Sequence, residues 1–133
     1  MDARLKESVR RRAGSRCEYC RFPERFSEIP FQIDHVIAEQ HRGQTEEANL
    51  ALACVRCNLY KGANLSGLDP MNGELTRLFN PRLDSWADHF EWDGARLVGR
   101  TSVGRTTVEV LQMNHEEAIE DRNSLLQRGL SFA

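Results

Sequence analysis

No apolar run in the chain approaches the ~20 residues that a membrane-spanning helix needs, so no membrane association is expected. The opening stretch, MDARLKESVRRRAG, has no apolar core of the kind that marks a secretory leader, and a cytoplasmic location is the expectation. Proline is scarce, with four residues, and glycine stands at nine, which excludes collagen-like and linker-dominated chains. Internal repeats and low-complexity tracts are absent. A positive excess is missing too: eighteen Lys and Arg face twenty Asp and Glu, for a net charge of −2. A domain whose sole task is coating nucleic acid is usually basic, so the overall charge gives that role no support. What is present is a soluble composition, 40% hydrophobic and 29% charged, in 133 residues, enough for a single domain spanning 1–133.

The charge is unevenly spread. Residues 1–62 carry 11 basic and 9 acidic groups, and residues 63–133 carry 7 and 11. Six cations fall within residues 1–16, where Leu5, Val9 and Ala13 repeat at helical spacing. Residues 2–13 therefore read as a helix capped by Asp2 and stopped at Gly14, with an Arg-rich face that is either solvated or laid along a phosphate backbone.

All four cysteines stand in two CxxC pairs, Cys17-Glu-Tyr-Cys20 and Cys54-Val-Arg-Cys57, 33 residues apart. Two residues between thiolates make a tight knuckle that aims both sulfurs at one point. Two knuckles supply four soft ligands at tetrahedral corners, the set for a closed structural Zn²⁺ site. A redox CxxC has no use for a second knuckle, and two disulfides are at odds with a reducing cytoplasm.

Between the pairs, residues 31–38 read as a short half-buried strand containing Asp34 and His35. A polar loop with Gly43 as its turn residue follows, then a returning strand over 49–54, then a short helix over 54–63 stopped near Gly62. Asp34 offers a hard anionic oxygen and Asn58 a neutral amide oxygen, a pair suited to a hydrated Mg²⁺. His35 is able to take a proton from water near neutral pH. Lys61, three residues after Asn58, shares its helix face and is placed to reach a phosphate.

Asp34-His35, then Asn49-Leu50, then Cys54-x-x-Cys57-Asn58-x-x-Lys61, bracketed by Cys17-x-x-Cys20, resembles the HNH endonuclease family, over about residues 15–64. The resemblance implies an α+β fold: a ββα-metal finger stapled by a four-cysteine zinc site. It implies that His35 activates water, that Asn49 pins the loop so that His35 is aimed, and that Asn58 belongs to the catalytic set. Asp34 and Asn58 are implied as ligands of a catalytic Mg²⁺ or Mn²⁺ ion, Cys17, Cys20, Cys54 and Cys57 as ligands of structural Zn²⁺, and Lys61 as a nucleic-acid contact. The implied partner is nucleic acid, DNA by family precedent, with monomer or homodimer left open. Two departures stand out. Gly43 is followed by Gln44 where many members have a second glycine, and Gly62 occupies the place of a third metal-binding histidine, which leaves two protein ligands.

The flanks carry no chemical motif. The N-terminal helix precedes the finger, and residues 65–133 read as a C-terminal α/β extension packed on it. There the expectations are turns at Asp69-Pro70 and Asn72-Gly73, a helix opening at Asn80-Pro81 with Leu83, Trp86 and Phe90 facing inward, and a hairpin at Asp93-Gly94. A final helix over 115–128 is expected to be capped by Asn114, and residues 102–113 are ambiguous between helix and strand. His41 reads as a solvent-facing loop residue, and His89 and His115 as having no chemistry. The expected function is metal-dependent phosphodiester hydrolysis. The alternative is a non-catalytic four-cysteine zinc module that binds nucleic acid or protein.

Overall fold

The fold was analysed in a computed structural model, which describes residues 1–132. It is α+β, with five helices and three separate two-stranded antiparallel sheets among the described residues. Helix α1 spans Ala3–Arg12, and the Asp2 carboxylate caps it by accepting from the Arg4 and Leu5 amides. Its apolar side is the expected one: Val9 and Ala13 are buried and Leu5 is half-buried. The Arg-rich face is partly structural. Arg10 donates to the Phe31 carbonyl and pairs with Glu24, and Arg12 donates to the carbonyls of Glu47 and Leu50.

The finger follows. Strand β1 (Gln32–His35) pairs with β2 (Leu50–Ala53), with Asp34 opposite Ala51 and His35 opposite Leu50. The Leu-Ala-Leu-Ala run of β2 is buried throughout because both its faces are covered, and α1 and α2 pack against it. Helix α2 (Val55–Lys61) starts at the second knuckle and stops where Gly62 takes a positive φ of 51°. Each finger element is shorter than its sequence expectation, since the last apolar residues of each run belong to the turns.

After the finger come the hairpin β3 (Ser66–Leu68) with β4 (Leu75–Arg77), the one-turn helix α3 (Trp86–His89), and the hairpin β5 (Phe90–Asp93) with β6 (Arg96–Gly99). Helices α4 (Ser102–Val110) and α5 (Glu116–Gln127) complete the chain. The hairpin at Asp93-Gly94 forms as expected, with Gly94 at φ 61°. The ambiguous stretch is helical, because Thr101 caps it and the Thr107 hydroxyl bonds back to the Val103 carbonyl.

Two expectations fail here. No helix starts at Asn80-Pro81: Asn80 Oδ1 accepts from the Arg82 amide and Asp84 from the Asn80 amide, closing a turn that leaves Leu83 83% exposed. Phe90 is buried, but as the first residue of β5. Nor does Asn114 cap α5. It pairs with both backbone groups of Leu97, and the His115 ring accepts from the Glu117 amide instead.

Residues 65–132 and the finger share a core in which Val9, Leu50 and Leu52 join Phe79, Phe90, Leu97 and Met113. Trp86 donates to the Tyr19 carbonyl at 2.8 Å. Arg82 grips Glu18, whose other oxygen accepts from the Leu52 amide. Both tryptophans are half-buried in an aromatic stack with Phe90 and Phe132.

Candidate active site

The two knuckles meet. The sulfurs of Cys17, Cys20, Cys54 and Cys57 all lie within 4.8 Å of one another, and those of Cys20 and Cys54 are 3.7 Å apart. Four thiolates about 2.3 Å from one tetrahedral metal ion stand ~3.8 Å from each other, so the spacing fits. Within each knuckle an amide points at the first sulfur, Cys20 N at Cys17 Sγ and Cys57 N at Cys54 Sγ, both at 3.4 Å. All four thiols are free of disulfides. Hydrogen bonding with Cys17 and the other sulfurs, together with burial, pushes the Cys20 and Cys57 thiols up, while the same bonds draw Cys54 down. Sulfurs this crowded do not ionise together without a cation among them, and the cluster is a metal-binding one.

A separate cleft of about 310 Å³ lies between β1, the loop that follows it and α2. Asp34, His35 and Asn58 all line it, beside Ala38, Glu39 and Gln40. A larger groove of about 670 Å³ lies against the cysteine cluster and α5, with walls that include Phe22, Phe26, Tyr60 and Met113. None of the three cleft residues reaches that groove, so size does not follow chemistry here.

In the cleft, the Asn58 amide nitrogen donates to the Gln32 side chain, and its Oδ1 has no protein partner among the described residues. Asp34 is 6% exposed, accepts from the Tyr19 hydroxyl at 2.8 Å, and stands 3.1 Å from the Lys61 ammonium. Burial raises the Asp34 carboxyl above its ordinary range, opposed by Lys61 and by the Tyr19 hydroxyl. His35 Nε2 shares a 2.8 Å hydrogen bond with the Thr45 hydroxyl and lies 3.8 Å from the Glu39 carboxylate.

Residues 17–64, knuckles and cleft together, match the HNH endonuclease family model. This segment is similar to HNH endonuclease domains. Over 112 residues, 83% of its length, the chain is also 25% identical to the Septu protein PtuB of Bacillus thuringiensis, and it spans 41% of that protein. No solved structure matches it.

Within the finger, Asn49 is a backbone clamp. Its Oδ1 accepts from the Ile37 amide and its Nδ2 donates to the carbonyls of Ile37 and Gln44, all at 2.9 Å. Gly43 fits because the loop folds onto itself: a Cβ there would sit 1.6 Å from the Ile37 carbonyl oxygen. The Lys61 geometry departs from an outward phosphate contact. The residue is 2% exposed, and its ammonium is held by Asp34 and by the His35 carbonyl at 3.1 Å. The i, i+3 spacing rightly put Lys61 on the face of Asn58, but that face looks onto β1 rather than into solvent.

Four residues that contact the cleft side chains escaped the sequence reading. Gln32 sits two residues before Asp34, and the strand period could have placed it on the same face. Tyr19 lies inside the first knuckle, where an aromatic between metal-binding cysteines has a signal only once the partner strand is known. Thr45 and Glu39 reach His35 through the fold of the loop and leave no periodic trace.

Proposed function

We propose that this chain is a metal-dependent HNH-type endonuclease that hydrolyses phosphodiester bonds in nucleic acid, with DNA as substrate on family precedent. The observation that carries the proposal is the cleft on which Asp34, His35 and Asn58 converge. A binding module has no need of a base and two oxygen ligands on one small concavity.

Asp34 and Asn58 hold a Mg²⁺ or Mn²⁺ ion, and Cys17, Cys20, Cys54 and Cys57 hold a structural Zn²⁺ ion. The oxygen pair fits a hard cation: Asn58 Oδ1 is unclaimed, and the Asp34 carboxylate, with about four lone-pair sites, keeps capacity beyond its bonds to Tyr19 and Lys61. When bound, the divalent ion supplies positive charge at the scissile phosphate and the departing oxygen. His35 takes the proton of the attacking water. Its Nε2 is engaged by Thr45, which leaves Nδ1 to receive that proton. Asn49 and Gly43 fix the loop on which Thr45 sits, and Gln32 engages the Asn58 amide nitrogen, which leaves the amide oxygen for the ion. Lys61 and Tyr19 anchor the Asp34 carboxylate.

The deciding experiment is purified protein on plasmid DNA with Mg²⁺, Mn²⁺ or chelator, beside His35→Ala. Cleavage is expected with either metal and lost with chelator. The variant should fall by about 10²-fold or more with its zinc retained. Intact plasmid in every lane from zinc-loaded protein would instead favour a non-catalytic zinc module.

A further inference from the structure

We propose that Arg42 is the phosphate-contacting cation of the cleft, gripping the DNA backbone beside the scissile bond; this deepens the nuclease reading above and rests on it. The residue lies outside the cleft lining, two positions beyond Gln40 on the loop that supplies Ala38, Glu39 and Gln40 to its wall. Its backbone is left-handed, with φ 69° and ψ 22°. That region suits glycine or asparagine, and a long side chain there is strained. Four residues other than glycine adopt positive φ among the described residues, and two of them are arginines. Arg21 has a visible reason, since its guanidinium lies over the Trp86 ring at 5.2 Å. The Arg42 side chain is exposed and has no hydrogen bond, ion pair or ring contact among the described residues. The fold therefore tolerates strain at a position whose side chain does nothing for the fold.

The loop is also rigid where it carries Arg42. The Arg42 amide donates to Glu39 O at 2.9 Å, the neighbouring Gly43 amide to Ala38 O at 3.0 Å, and Asn49 ties both Ile37 and Gln44. A cation mounted this way is already placed before substrate arrives. The electrostatics call for one. Glu39 lines the cleft and Glu46 and Glu47 follow on the loop, so its rim carries carboxylates that repel a phosphodiester. Between Phe31 and Val55, Arg42 is the sole Lys or Arg. Lys61, the nearest alternative by sequence, is committed to Asp34 in the interior. Arg56 is turned away, paired with Glu117 of α5 at 3.3 Å. A guanidinium matches two phosphate oxygens at once, which suits it to this task.

The test measures binding of a fluorescent DNA duplex by the full chain carrying His35→Ala, which blocks cutting, across a salt series with Mg²⁺ present. Adding Arg42→Gly is expected to weaken binding several-fold and to flatten the log–log salt dependence by about 0.9, the loss of one phosphate contact. Arg42→Lys should restore most of the slope. Thermal melting of Arg42→Gly should match or exceed the parent, because glycine relaxes the strained backbone. Unchanged affinity and slope in Arg42→Gly, failure of Arg42→Lys to restore the slope, or weaker binding accompanied by a lower melting temperature, would overturn the assignment. If the His35→Ala parent binds no DNA at all, the nuclease reading itself fails; if the parent binds and Arg42→Gly binds identically, only Arg42 loses its role.

Discussion

Lys61 and Tyr19 show how a buried carboxylate is held by its neighbours. Both donate to Asp34, and all three are buried. Removing Lys61 leaves a buried carboxylate without its counter-charge, so Lys61→Met is expected to destabilise the protein by about 3 kcal/mol or more. A lysine whose only task was to touch phosphate would leave the melting temperature where it was, and a thermal melt separates the two roles. Tyr19→Phe removes one hydrogen bond to the carboxylate and should cost about 1.5–3 kcal/mol by the same measurement. Gly43 makes a different demand. Gly43→Ala drives a methyl group into the Ile37 carbonyl and competes with Asn49 for space. The loop carrying Thr45 must shift, and a displacement of about 1 Å at a catalytic group typically costs ~10²-fold in rate. Plasmid cleavage should fall accordingly while zinc content, read by elemental analysis, stays at the wild-type level.

At the scale of elements, α2 joins the sulfur cluster and the cleft, which share no side chain. It carries Cys57 into the sulfur cluster and Asn58 into the cleft on consecutive residues. Metal removal is therefore expected in two stages. A mild chelator should abolish cleavage reversibly, since a two-ligand oxygen site with several waters binds weakly. Harsher chelation should strip the thiolate-held ion and melt the finger, whose two small strands and seven-residue helix have little core of their own. Following cleavage and melting through one chelator titration, with Mg²⁺ or Mn²⁺ added back, checks this. Loss of both at a single concentration, with neither restored, would contradict two separate centres. Replacing Cys57 by serine should reproduce the second stage without any chelator.

Across the whole molecule, residues 65–132 clamp the finger through Arg82 on Glu18 and Trp86 on the Tyr19 carbonyl, and are themselves knit by Asp69. That carboxylate, at the turn of the β3–β4 hairpin, accepts from Arg105, from the Ser102 hydroxyl at 2.6 Å and from the Met71 amide at 2.9 Å. Arg105 and Ser102 hold its carboxyl well below the ordinary value of 3.8. A depressed carboxylate contributes stability that is fully present above its unfolded value and is lost as the pH falls through the folded one. The hairpin should therefore stay docked on α4 through neutral and mildly acidic pH and loosen under stronger acid. Asp69→Asn should melt lower than wild type at neutral pH and show a smaller further decline on acidification to about pH 3. No helix among the described residues is long and apolar enough to cross a membrane.

The sequence alone was enough for the features set by local spacing and ligand chemistry. Each CxxC knuckle aims its own pair of sulfurs, Asp2 and Gly14 mark the ends of α1, and Asp93-Gly94 turns its hairpin, because each depends on residues close together in the chain. The family motif likewise put Asp34, His35, Asn49 and Asn58 on the page before any coordinates. Direction and partnership were settled by tertiary structure. Whether Lys61 faces solvent or Asp34 depends on which side of α2 meets β1. The Asn80-Pro81 segment became a turn because Asp84 folds back on the Asn80 amide, and the cap of α5 passed from Asn114 to His115 because Leu97 of β6 engages the Asn114 side chain. Thr45 and Arg42 acquire meaning only once Asn49 and Gly43 have folded the loop against Ile37. Such contacts are set by the direction of side chains rather than by period, and a linear pattern of residue types carries no record of direction.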